Sequence, residues 1–153
     1  MLSEPSIEFV KGMQLYGDSI QVNYDELLSK DNPIDELWTS KVGLDSNQLT
    51  EEKSIYAVYD YDPSDIYKES LSFTYSLCIN KKGNKVIISD HLYLMFQVDL
   101  SLISLFDVYD FIDEQWIPKS NYILSEQADF EKHYLKDNRR MVNIYIAIEE
   151  EHG

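Results

Sequence analysis

One carboxylate in this chain stands where chemistry is possible. In Asp129-Phe130-Glu131-Lys132-His133-Tyr134, Glu131 follows an aromatic and lies two residues from a histidine, in a segment whose alternation reads as a strand. Side chains two apart on a strand share a face, so Glu131 and His133 are a conceivable acid–base pair. Residue type alone favours a plainer reading, with both side chains at the surface as Glu and His commonly are. The sharper reading is an acid among aromatics. Desolvation makes an uncompensated carboxylate costly and raises its pKa. A lipophilic cation restores a counter-charge and buries its own apolar area, and each Tyr ring adds roughly 0.5–2 kcal/mol of cation–π attraction. Area burial and charge are not shape-specific, so such a pocket accepts many molecules.

Other site chemistry is weakly supported. His91, His133 and His152 are far apart, and neither a Cys-x-x-Cys nor a His-Glu-x-x-His motif occurs, so no metal site is expected. Five glycines form no phosphate-cradling loop or nucleophile elbow, and no cofactor is expected. The basic pairs Lys81-Lys82 and Arg139-Arg140 read as solvated turns.

The chain has 153 residues and a formal charge of −15. It is long enough to bury most of a core unaided. An acidic surface repels phosphate backbones and attracts cations, which argues against direct nucleic-acid binding. The one cysteine, Cys78, excludes an intrachain disulfide and suits a reducing cytoplasm. The first residues lack the basic and apolar regions of a signal peptide, and no apolar run is long enough for a membrane helix. Twelve tyrosines are many, because a buried phenol needs a hydroxyl partner; they point to half-exposed sheet positions or an aromatic-lined cavity.

The elements that must position these residues are legible in outline. Ile7, Phe9, Met13 and Leu15 read as one first strand, with Gly17-Asp18 as a turn. Leu27 and Leu28 fall in a short helical turn. Asn32-Pro33 opens a helix that carries Ile34, Leu37, Trp38 and Val42 on one face, and Gly43 stops it. Leu44 to Lys53 is a loop, Ile55 to Tyr61 a strand ended by Asp62-Pro63, Asp65 to Glu69 a connection, and Leu71 to Asn80 a strand. Lys81 to Asn84 is a turn.

The pattern then recurs. Val86 to Val98 reads as a strand. A helix capped by Asp99 or Ser101 presents Leu102, Leu105, Phe106, Tyr109 and Trp116 and is stopped by Pro118. A strand region from Tyr122 continues through Phe130 to Leu135; Lys136-Asp137-Asn138 turns into a last strand from Arg139 to Glu149. The fold class is therefore α+β: two strand-helix-strand-strand modules, residues 5–82 and 85–150, forming an antiparallel sheet with two main helices on one face.

Alternation sorts the strand residues by face. Leu92, Leu94, Phe96 and Val98, with Ile144, Ile146 and Ile148, should pack under the helices. Tyr93, Met95, Tyr145 and Ala147 then share the second face, where tyrosine and methionine beside a small alanine suit an adaptable cleft. Ile55 to Tyr61 offers either Ala57, Tyr59 and Tyr61 or Tyr56, Val58 and Asp60 to that cleft. Trp38 and Trp116 have helical spacing, for which core packing is the better reading.

The order of elements from Trp116 to Ile148, with Trp116-Ile117-Pro118-Lys119, the Glu131 strand and Val142-Asn143-Ile144-Tyr145-Ile146-Ala147-Ile148, resembles the GyrI-like family of effector-binding domains. The segment Tyr56-Ala-Val-Tyr-Asp-Tyr-Asp-Pro63 resembles it less strongly. These domains occur free-standing or fused to AraC-type and MerR-type DNA-binding domains. The resemblance spans residues 1–153 as one effector-binding unit of the free-standing kind. It implies a cleft for lipophilic, mainly cationic small molecules, with Glu131 as the cation-facing acid and Tyr59 and Tyr61 turned toward it. Tyr145, Tyr93, Met95, Trp38 and Trp116 complete the expected ligand-binding set. The function implied is multidrug sensing or sequestration, or service as a transcription regulator's effector domain, in the cytoplasm. Two alternatives stand beside it: a small-molecule hydrolase with Glu131 as base, and a gyrase-inhibitor-like interaction module whose acidic surface mimics DNA. The charge argument makes one prediction directly. At low salt, where electrostatic binding has its best chance, a gel shift with duplex DNA should show no complex at micromolar protein; a robust shift would refute it.

Overall fold

The computed structural model describes residues 4–28, 32–42, 53–61, 72–79 and 82–149. Nine strands alternate with two helical segments. They are β1 (Ser6–Val10), β2 (Met13–Asn23), α1 (Pro33–Lys41), β3 (Ile55–Tyr61), β4 (Ser72–Cys78), β5 (Asn84–Ile88), β6 (His91–Asp99), α2 (Leu105–Phe111), β7 (Ile123–Leu124), β8 (Asp129–Lys136) and β9 (Arg139–Glu149). A 3₁₀ turn at Tyr24–Leu28 precedes α1, where Leu27 and Leu28 place it. After α2 the helix widens into π turns at Ile112–Trp116 and closes with one α turn, Ile117–Lys119.

The sheet is antiparallel, in the order β1-β6-β9-β8-β3-β4-β2-β5, with β7 beside β9. Each module contributes three strands around one helix: β2, β3 and β4 with α1, and β6, β8 and β9 with α2. Their middle strands, β3 and β8, meet at the centre of the sheet. The outermost strands are exchanged: β1 pairs with β6, and β5 with β2. Lys11-Gly12 alone links β1 to β2, and Ser89-Asp90 alone links β5 to β6. Two residues cannot span a flat sheet of this width, so the sheet curls until its two ends approach. There the Gly12 amide donates to the Asp90 carboxylate.

Three apolar clusters follow from this curl. On the helix-covered face, Leu94, Phe96, Val98, Val142, Ile144, Ile146 and Ile148 pack against Val108 and Ile112. On the same face, Val22, Ile55, Ala57, Phe73, Tyr75 and Leu77 pack with Leu37 and Trp38 of α1. The inside of the curl holds Val58, Ile88, Tyr93, Phe130 and Ala147. The expected sorting of aliphatic and tyrosine-bearing faces therefore holds for β6 and β9, whereas on β3 Tyr59 and Tyr61 lie on the helix-covered face.

Several boundaries differ, each for a local reason. The first strand region is two strands, and Gly17-Asp18 lies within β2 instead of forming a turn. At Gly17, β2 exchanges partners, from β5 to β4. A Cβ there would lie 2.1 Å from the Leu77 carbonyl oxygen, so glycine is required by close backbone approach. Val86 to Val98 is likewise two strands broken at Ser89-Asp90, and the region from Tyr122 splits into β7 and β8. Ser104 caps α2 through its hydroxyl, whereas Asp99 accepts from Ser101 in the preceding turn. This late start leaves Leu102 and Phe106 exposed, and the buried stripe passes to Val108 and Ile112. Pro118 does not end the helix at Trp116. A proline lacks the amide that an α turn needs, but the π turns bond Ile117 N–H to Ile112 and carry the helix to Lys119.

Two local expectations hold. Asn32 caps α1, its side chain accepting from the Ile34 amide. Asp137 and Asn138 both have positive φ, as a two-residue hairpin turn requires. The readings at Gly43, most of the loop from Leu44, Asp62-Pro63, Asp65 to Glu69, Leu71 and Asn80-Lys81 lie outside the described residues. The crossover at Gly17 predicts that Gly17→Ala forces β2 and β4 apart. It should destabilise the protein by ~1–3 kcal/mol or more, as overpacking does, measured by urea unfolding; an unchanged midpoint would refute the close approach.

Candidate functional site

The site is built around Glu131 on β8. Its register partners are Ala57 on β3 and Ile144 on β9. Ala57 is the small residue opposite the acid, and Tyr59, two places along the same strand face, reaches diagonally across to it. The Tyr59 hydroxyl donates to Glu131 Oε2 at 2.6 Å. Tyr109 descends from α2 and donates to the same oxygen at 2.5 Å. His133 Nε2 lies 2.8 Å from Oε1. Glu131 has no exposed surface, and His133 is 2% exposed. The expectation of a surface histidine therefore fails. His133 shares the inward face with Glu131, and the edge of the Trp38 ring covers it at 4.8 Å between centroids.

Above this network a cleft of about 410 Å³ opens between α1 and the segment leading into α2. Ile34, Trp38, Tyr59, Tyr75, His133 and Arg140 are among its lining residues. Trp38 Nε1 donates to the Tyr75 hydroxyl at 2.7 Å, which fixes both rings in the wall. Tyr59 packs edge-on to Tyr75 at 5.1 Å. Burial raises the pKa of Tyr59, Tyr75 and Tyr109 well above the ordinary phenol value, and the Glu131 charge adds to the effect in each. These hydroxyls stay protonated; those of Tyr59 and Tyr109 donate to the carboxylate, and that of Tyr75 accepts from Trp38.

The expected ligand-binding residues do not form one site. Glu131, Tyr59, Tyr61 and Trp38 lie on the helix-covered face; Tyr61 packs on Phe73 there but does not line the cleft. Tyr93, Met95 and Tyr145 lie on the opposite face, since Phe130 pairs with Tyr145 and Met95 with Tyr145 in register. A second concavity, of about 400 Å³, does open on that face, lined by Met13, Tyr56, Phe130, Lys132 and Tyr145 among others. Its floor is the stacked pair Phe130–Tyr145, 4.4 Å apart. Tyr93 is buried beneath it, with its hydroxyl on the Ala128 carbonyl. Trp116 joins neither cavity. It packs on Phe96 and stacks on Tyr122, as its helical spacing predicted.

Tyr109, Tyr75, His133 and Arg140 were missed as site residues. Tyr109 carried a signal, since it lies on the inward stripe of α2 where a phenol needs a partner. Arg140 carried none. It reads as half of a solvated basic pair, yet its guanidinium sits over the Trp38 ring, 5.3 Å from the centroid. Among the described residues no group of three or more His, Cys, Asp and Glu is placed to hold a metal ion. No helix among them is long and apolar enough to cross a membrane.

A second acid lies two residues away on the same strand face. Asp129 Oδ1 accepts from the Ala147 amide at 2.8 Å, yet burial pushes the carboxyl up to about 7. An unfolded Asp titrates near ~3.9. The folded state thus holds a proton that the unfolded state has lost between these values, and this group's contribution to stability falls as pH rises through that window. Asp129→Asn keeps the acceptor and removes the titration. The variant should gain stability relative to the native protein from about pH 4 to pH 7, by at most ~4 kcal/mol, and the difference should be level above. Parallel stability–pH curves would refute this.

The sequence model of the GyrI-like small molecule binding domain matches residues 3–149. No curated protein matches the chain in sequence. Solved structures share the fold at low identity. An integron cassette protein from the mobile metagenome of Vibrio cholerae superposes with a TM-score of 0.69 at 17% identity, over 97% of each chain. SAV2435 bound to tetraphenylphosphonium gives 0.63 at 10% identity, over 96% of this chain and 94% of that one. The EcmrR C-terminal domain gives 0.56 at 16% identity, over 99% of this chain and 100% of that one.

Proposed function

The chain belongs to the GyrI-like family of small-molecule binding domains, and from that premise we propose that the cleft above Glu131 binds lipophilic cations, in multidrug sensing or sequestration in the cytoplasm. The observation that carries the proposal is a fully buried carboxylate beneath aromatic walls. Its hydrogen bonds from Tyr59, Tyr109 and His133 replace hydration. Its charge still acts on the cleft, because a low local dielectric screens it weakly. A cation in the cleft gains that attraction and the faces of Trp38, Tyr59 and Tyr75. The volume suits a drug-sized molecule, for which pockets of roughly 300–1,000 Å³ are usual. The tetraphenylphosphonium held by SAV2435, which shares the fold, supports the same ligand class.

The contact between Glu131 and His133 favours a second reading, hydrolysis of an electrophilic ligand with Glu131 activating water. Mass spectrometry separates the two: unchanged ligand after incubation supports binding, and a hydrated product supports turnover.

Tetraphenylphosphonium and the nearly isosteric anion tetraphenylborate test the sign of the site. The cation should bind in the micromolar range, near −8 kcal/mol, and the anion much more weakly by calorimetry. Glu131→Gln keeps shape and should cost about 1–3 kcal/mol of cation affinity; its amide also loses an acceptor oxygen for the buried donors, so the melting temperature should fall and affinities are compared on the folded protein. Equal affinity for the two ions, or an unaltered variant, would sink the proposal.

A further inference from the structure

The cleft's polar inventory is lopsided. Glu131's oxygens are engaged by Tyr59, Tyr109 and His133. The unmet polar atoms are elsewhere. Arg140 Nε is buried with no partner among the described residues, and so is Nδ1 of the nearly inaccessible His133. Both residues line the cleft. Arg140 enters from the start of β9, opposite Leu135, on the same sheet face as Glu131. Its guanidinium carbon lies over the Trp38 ring, 5.3 Å from the centroid, and the N–H groups of a guanidinium project in its own plane; a small shift of this side chain brings them to an acceptor in the cleft. An orphaned buried N–H is costly, and a ligand oxygen seated on it recovers the lost hydrogen bond.

Building on the reading of this cleft as the ligand site, we propose that it selects bipolar ligands: a lipophilic cationic body against Trp38, Tyr59 and Tyr75, and an anionic oxygen, of the carboxylate class, anchored on Arg140. Glu131 and Arg140 then have separate tasks, while Asp35 of α1 adds a further negative charge to the lining. Glu131 below acts mainly through its field, because it is fully buried and both its oxygens already accept hydrogen bonds. Arg140 at the side acts by direct contact, because its donor is empty. Burial lowers the Arg140 pKa while the Glu131 charge raises it; a ligand carboxylate offsets the same desolvation. Arg139, the neighbouring arginine, is exposed and paired with Asp99 and takes no part.

Two rhodamines with the same cationic ring system test this, one with a free carboxylate on its pendant phenyl and the other its methyl ester. By fluorescence anisotropy the free acid should bind the native protein about tenfold more tightly than the ester, the size of one charge-assisted contact. Arg140→Gln should abolish that preference and leave tetraphenylphosphonium, which has no oxygen, bound at least as tightly. Arg139→Gln should keep the preference. Arg140→Lys, which keeps charge and loses the planar fork, should retain only part of it, and carries the test alone should the glutamine variant fail to fold. Equal affinity of acid and ester for the native protein, or a full preference surviving either Arg140 variant, overturns the anchor. If tetraphenylphosphonium also fails to bind the native protein, the ligand-site reading falls and the anchor with it; if it binds while acid and ester are equal, only the anchor falls.

Discussion

A carboxyl group with no exposed surface must be hydrogen-bonded, because leaving it unpaired away from water is costly, and that requirement organises this fold. Glu131 draws its donors from three elements, Tyr59 on β3, Tyr109 on α2 and His133 on β8 itself. The first belongs to one module and the other two to the second. The acid therefore ties the modules together at the strand pair where they meet. Ala57 leaves the space for it, and the apolar clusters under α1 and α2 stand on either side. Removing any one donor would leave a charge buried with fewer partners, which is why the surrounding geometry is over-determined rather than loose.

The same constraint accounts for the tyrosines. Phenylalanine would fill these volumes without a polar atom to satisfy, but several of the tyrosine hydroxyls here are themselves the partners something else needs. Tyr59 and Tyr109 serve Glu131, Tyr75 serves Trp38, Tyr93 caps the Ala128 carbonyl, and Tyr134 joins Gln97 to Asn143. Alternation along β8 then divides the labour. Glu131 and His133 point to the helix side, and Phe130 and Lys132 to the inside of the curl. One strand thus contributes to two cavities of nearly equal volume, one over the Glu131 network and one over the Phe130–Tyr145 stack.

How much of this was legible follows from the range of each signal. Period-two alternation and caps are local, so β3, α1 with Asn32, the Asp137-Asn138 turn and β9 were readable nearly to the residue. The breaks at Lys11-Gly12 and Ser89-Asp90 were not, because they arise from the curl of the whole sheet and the exchange of β1 and β5. Which strand faces look at each other is also a tertiary fact. Strand alternation placed Tyr93, Met95 and Tyr145 together correctly; it could not say that Glu131 lies on the other side, because β8 and β9 register is fixed by pairing and not by either strand's own pattern. His133 was misjudged for a related reason. Residue type gives an average exposure, whereas its burial comes from Trp38, distant in sequence.

The electrostatics of the molecule work at three ranges. The net charge of −15 acts over the surface and governs encounter, falling away within a Debye length of about 8 Å at physiological salt. Glu131 acts within the cleft, where screening is weak, and favours positive charge regardless of shape. Arg140 opposes that field with its own charge and adds directional donors at contact. Surface charge alone would bring any cation close and hold none, and a buried acid alone would hold any lipophilic cation in no particular orientation. An arginine held over Trp38 is directional, because its donors lie in a plane. Ligand discrimination in a cleft whose acid is already hydrogen-bonded on both oxygens therefore falls to the arginine, whose buried Nε lacks a partner among the described residues.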